Sequence, residues 1–95
     1  MAAYAVAEID ITDPAAYEGY RPLAAAAVEK YGGRFLVRGG RTETVEGGWA
    51  PKRIVILEFP SMEKLRAFYG SPEYQKALAI RLKASTGRLI FVEGA

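Results

Sequence analysis

Tyr31-Gly32-Gly33-Arg34-Phe35-Leu36-Val37-Arg38-Gly39-Gly40 reads as a short strand held between two glycine pairs, with an arginine near each end. A second run, Arg53-Ile54-Val55-Ile56-Leu57-Glu58-Phe59-Pro60, carries one acid among apolar residues and reads as another strand. A charge in an otherwise buried strand needs a partner, because burying it alone is costly. Arg34, Arg38 and Glu58 therefore mark either a ligand site or a polar subunit interface.

Outward from these two strands the chain alternates. Tyr4 to Ile11 has strand parity, with Ala5, Ala7, Ile9 and Ile11 on one side and Tyr4, Val6, Glu8 and Asp10 on the other. Asp13-Pro14 supplies a helix cap followed by proline at the first helical position. The helix is expected to run to Tyr31, where Gly32 stops it. Its inner face is Tyr17, Tyr20, Ala24, Val28 and Tyr31, with a kink at Pro22. After the strand Arg34 to Arg38, an extended edge is expected over Arg41 to Gly48, then a central strand over Lys52 to Phe59. A short helix opens at Pro60-Ser61, with Met62, Leu65 and Phe68 or Tyr69 inward. Ser71-Pro72-Glu73 opens another, with Tyr74, Leu78 and Leu82 as its apolar stripe and Ala77 and Arg81 beside it. Thr86 to Glu93 is the last strand.

The order β-α-β-β-α-β predicts an α+β, ferredoxin-like layout: an antiparallel four-stranded sheet with both helices on one face. A chain of 95 residues forms one such domain, spanning 1–95. Both parities of Lys52 to Phe59 are apolar, so the uncovered sheet face is too hydrophobic for a monomer. A homodimer packed sheet to sheet is expected.

Composition narrows the chemistry. Thirteen basic and eleven acidic side chains give a net charge of +2, with signs interspersed and no basic block. Nucleic-acid binding has no electrostatic footprint. No apolar run approaches the roughly 20 residues of a membrane span, and the start shows no secretory pattern, so a cytoplasmic location is expected. The absence of His and Cys removes thiol nucleophiles, serine–histidine catalysis, imidazole-bound zinc and histidine-ligated haem. No metal and no cofactor is expected. The acid–base candidates left are Glu, Tyr, Lys and a bound organic cofactor.

The glycine-flanked strand, with Gly48-Trp49-Ala50-Pro51-Lys52-Arg53, Glu58-Phe59-Pro60-Ser61 and Ser71-Pro72-Glu73-Tyr74-Gln75, resembles the domain-of-unknown-function 1330 (DUF1330) family over almost the whole chain. The resemblance implies a ferredoxin-like protomer of the dimeric α/β-barrel superfamily and no agreed activity. That superfamily includes cofactor-independent quinol-type monooxygenases, small-molecule isomerases and haem proteins. The missing histidine disfavours the haem branch.

Each candidate site residue carries two readings. Strand parity puts Arg34 and Arg38 on one face, either as a fork for a carboxylate or enolate or as structural partners of Glu8, Glu58, Glu43 or Glu46. Glu58, if buried, would have a raised pKa and serve as a general base; otherwise it pairs with an arginine, Arg38 being the expected one. Tyr17 and Tyr20, one turn apart, either orient a ligand or fill the core. Arg81 either snorkels to solvent or closes a cleft near Tyr74. Trp49 is a dimer anchor or a ligand lid. Two functions follow: a small-molecule enzyme acting on an aromatic or carbonyl compound between sheet and helices, or a non-catalytic dimeric binding or structural module.

Overall fold

The computed structural model describes residues 1–95. The elements are β1 (Ala3–Ile11), α1 (Pro14–Tyr17), α2 (Tyr20–Lys30), β2 (Arg34–Arg38), β3 (Ile54–Phe59), α3 (Met62–Tyr69), α4 (Pro72–Ala84) and β4 (Ser85–Glu93). The strands form one sheet in the order β2-β3-β1-β4, and every pair is antiparallel. The molecule measures 36 × 34 × 16 Å, the thickness of one sheet and one helix layer.

Local chemistry sets the element ends. The Asp13 carboxylate accepts from the Ala16 amide at 3.2 Å and starts α1. Ser61 and Ser71 hydroxyls accept from the amides of Lys64 and Tyr74 and start α3 and α4. At the end of α2, Gly32 takes φ 82°. The amides of Gly32 and Gly33 reach back to the Glu29 and Val28 carbonyls, closing the helix in a Schellman turn.

Three expectations are corrected. The first long helix is not merely kinked at Pro22: it breaks before it, at Glu18 and Gly19. Proline clashes with the carbonyl four residues back, here that of Glu18, and so Pro22 becomes the third residue of α2, where no intrahelical donor is needed. The segment Arg41 to Gly48 forms no strand. Its one large apolar residue, Val45, is 85% exposed, so pairing it to the sheet edge would bury nothing. The inner stripe of α4 is Tyr74, Ala77, Leu78, Arg81 and Ala84, while Leu82 is exposed. That helix turns an arginine inward and a leucine outward.

The core lies between sheet and helices. Ala3, Ala5 and Phe59 from the strands meet Ala24, Val28, Leu65, Phe68 and Tyr74 from the helices, and Ile9 packs in a smaller cluster with Tyr17 and Ala84. Phe59 is fully buried, with its ring 4.8 Å from that of Phe68. The ring lies so close to Gly33 that a Cβ there would fall 2.4 Å from it, so this position excludes any larger side chain.

Candidate functional site between sheet and helices

A bulge decides which arginines reach this space. Across β2 and β3, Arg34 faces Glu58 and Phe35 faces Leu57, but Val37 faces Ile56 and Arg38 faces Val55. Leu36 is the extra residue. A one-residue insertion reverses side-chain parity, and bulges commonly re-aim a side chain in this way. Arg34 and Arg38 therefore do not share a face, contrary to the strand reading. Arg34 lies on the helix-free side, while Arg38 joins Phe35, Val55 and Leu57 on the helix side.

Glu58 goes with Arg34. Arg34 Nε donates to Glu58 Oε1 at 2.6 Å, and the Tyr4 hydroxyl donates to Oε2 at 3.0 Å. These bonds, that of Arg34 foremost, hold the Glu58 carboxyl below its usual range rather than raising it. The expected Arg38–Glu58 pair does not form, and Glu58 does not line the helix-side space. A second group stands at the other end of the same face. Arg88 Nε donates to Glu8 Oε1 at 2.7 Å, and the Trp49 indole donates to Oε2 at 3.1 Å. Trp49 is thus pinned across the sheet end, half-exposed, and is not a lid on the helix side.

Between sheet and helices lies a cavity of about 60 Å³, lined by 19 residues of which 15 are hydrophobic. Small side chains make the room: Ala5 and Ala7 on β1 and Ala24 on α2. Tyr17, Tyr20, Arg38, Tyr74 and Arg81, all singled out in the sequence, converge on it. Tyr20 and Tyr74 share a hydroxyl–hydroxyl hydrogen bond of 2.8 Å. Burial is the main cause that pushes the Tyr20 hydroxyl far above the usual phenol range, so it stays protonated. Arg81 is 8% exposed and does not snorkel out. Burial works against its charge, but the Tyr74 and Tyr20 oxygens outweigh it and the guanidinium remains charged.

Sequence reasoning missed Arg53 and Tyr69. Arg53 enters the cavity by lying against Gly39, which takes φ 71° and has no Cβ to obstruct it. The signal was present: a lone arginine opening the most apolar strand, opposite a glycine pair. At the rim, Arg38 stacks on Phe35, its guanidinium carbon 4.0 Å from the ring centre. No group of three or more carboxylates is placed to hold a metal ion, and no helix is long and apolar enough to cross a membrane.

An antiparallel four-stranded sheet with one helix layer and an apolar cavity between them defines a ferredoxin-like α+β protein. Within that class, the chain belongs to the DUF1330 family, a domain of unknown function, whose model matches residues 2–95. No curated protein matches it. Among solved structures, it is similar to a protein of unknown function from Rhodopseudomonas palustris, with 18% identity over 99% of this chain and 82% of that one and a TM-score of 0.78. A dimeric ferredoxin-like protein of unknown function from Jannaschia sp. CCS1 shares 11% identity over 99% of this chain and 100% of that one, at a TM-score of 0.73. SnoaB, a cofactor-independent oxygenase from Streptomyces nogalater, shares 14% identity over 99% and 93%, at 0.66.

Proposed function

We propose that this chain is a homodimeric small-molecule protein that holds an aromatic or carbonyl compound between its sheet and its helices and acts on it without a metal or organic cofactor. The observation that carries this reading is the apolar cavity, into which only arginines and tyrosines bring polar groups. The likeness in fold to a cofactor-independent oxygenase supports the cofactor-free half of the proposal. In such chemistry the ligand itself supplies the electrons: an activated CH₂ group and O₂ give a C=O group and water. The protein's part is to seat the ligand, exclude water and favour its enolate.

The dimer reading rests on the helix-free face. Ile90 and Val92 are 61% and 44% exposed there, beside Val6, Ile54 and Ile56. Packing two such faces together would bury at least ~1,200 Å², and a neighbour of the same fold is dimeric.

A second reading, a non-catalytic binding module, is favoured by one feature. The cavity holds no carboxylate or imidazole, and Tyr20 stays protonated, so it contains no obvious base. Oxygen uptake by metal-free protein with a panel of phenols and 1,3-diketones separates the two. Turnover above the buffer rate supports the enzyme; binding without uptake supports the module.

A further inference from the structure

Hydrogen-bond donors and acceptors do not balance in the cavity, and the imbalance has one sign. Four ion pairs form in the whole chain: Arg21–Glu18, Lys30–Glu73, Arg34–Glu58 and Arg88–Glu8. Arg38, Arg53 and Arg81 belong to none of them, and all three line the cavity. No Asp or Glu lines it. Two buried side-chain polar atoms in the protein lack any partner, Arg53 Nε and Arg81 Nε, and both belong to these arginines. The Tyr20–Tyr74 bond uses one hydroxyl proton, leaving the other free to donate.

A buried charge without a partner is costly and needs an explanation. A water could satisfy single donors, but it does not neutralise a guanidinium. We propose that the cavity is built for an organic anion: a small ring compound whose carboxylate or enolate oxygens are held by Arg81 with the Tyr20–Tyr74 pair from the helix layer and by Arg38 and Arg53 from the sheet. This rests on the reading of the cavity as a ligand site and names the ligand's charge and shape. The 15 hydrophobic lining residues take the ring, and the three unpaired arginines take the oxygens. The free volume is smaller than such a ring, so Arg38, exposed at the rim and stacked on Phe35, moves aside to admit it. Arginine suits the role because its planar fork matches a carboxylate.

The test compares 4-hydroxybenzoate with its neutral isostere 4-hydroxybenzamide, by calorimetry and by amide chemical shifts. The benzoate is expected to bind at least about tenfold more tightly, shifting the amides of α4 and of Gly39. Arg81→Met and Arg53→Met should each remove that preference, while Arg81→Lys keeps part of it. Because Arg81 is buried without a counter-charge, Arg81→Met should also raise Tm, by about 5 °C. A purely structural Arg81 gives the opposite: a lower Tm with the preference intact. Equal affinity for the two probes in the native protein overturns the anion reading alone. If neither probe binds at millimolar concentration, the cavity-ligand reading falls with it.

Discussion

The two faces of one sheet treat arginine in opposite ways. On the helix-free face Arg34 meets Glu58 and Tyr4, and Arg88 meets Glu8 and Trp49. On the helix face Arg38 stacks on Phe35, Arg53 lies against Gly39 and Arg81 lies beside the Tyr74 and Tyr20 hydroxyls, and none of the three pairs with an acid. Arginine is thus acid-paired on one side, while on the other, Arg21 with its Glu18 apart, it lines the cavity without an acid. Acid-paired arginines at both ends of an apolar strip cost less to bury in a subunit interface than lone charges would. Guanidinium groups without an acid beside an apolar cavity are what the anion proposal builds on.

Substitutions on the two faces test this contrast. The largest effect is expected from Ile56→Asp, in the middle of the helix-free face opposite Val6 and Val37. A buried carboxylate there should weaken self-association by about 2 kcal/mol or more, and light scattering should report half the native mass. Native protein that is already monomeric at micromolar concentration would end the dimer proposal.

Exchanging the two arginines of β2 comes next. Arg38→Met should weaken 4-hydroxybenzoate about tenfold, roughly 1.4 kcal/mol, and leave Tm unchanged. Arg34→Met should do the reverse, lowering Tm by a few degrees at most and sparing affinity. Identical behaviour of the two variants would erase the distinction that the Leu36 bulge creates. Glu58→Gln should resemble Arg34→Met, because it breaks the same pair; a loss of turnover without loss of Tm would instead restore a catalytic Glu58.

The smallest effect is electrostatic and lies outside both faces. The Lys30 ammonium, Glu73's own backbone amide and the Tyr31 hydroxyl hold the Glu73 carboxyl down to about 2. A carboxyl lowered on folding stabilises the fold above its unfolded value of about 4.3, and that stability is lost as pH falls through the folded value. Melts of Glu73→Gln should lie slightly below the native protein at pH 7, and the gap should close between about pH 4 and pH 2. A gap that widens in acid would contradict this sign.

Most of the fold was legible because it is written in periodicity and punctuation. Ser71-Pro72-Glu73 starts α4, Gly32 ends α2, and the apolar run Ile54 to Phe59 is an inner strand. The site was half legible. Tyr17, Tyr20, Tyr74, Arg38 and Arg81 were singled out and do meet, whereas Arg34, Glu58 and Trp49 fall on the other face. For the two arginines of β2 the cause is one residue. Nothing in Arg34-Phe35-Leu36-Val37-Arg38 signals a bulge, since it contains no glycine or proline, and strict alternation then misassigns everything beyond Leu36. That Arg81 rather than Leu82 lies in the inner stripe of α4 was hidden for a different reason. Hydrophobicity prefers Leu82 for the inner stripe, but the face of α4 that packs inward carries Tyr74, Ala77, Leu78, Arg81 and Ala84, so tertiary contact outweighs the pattern within one helix.

The three alanines that open the cavity have an evolutionary consequence. Ala5, Ala7 and Ala24 carry no charge and bond to nothing, yet each added methyl group there would shrink the space available to a ring. Selectivity among related compounds can thus drift by single steps of size, while the guanidinium groups that would grip them stay untouched. Homologues with the same arginines and different small residues at these three positions would then divide one chemistry among substrates of graded width.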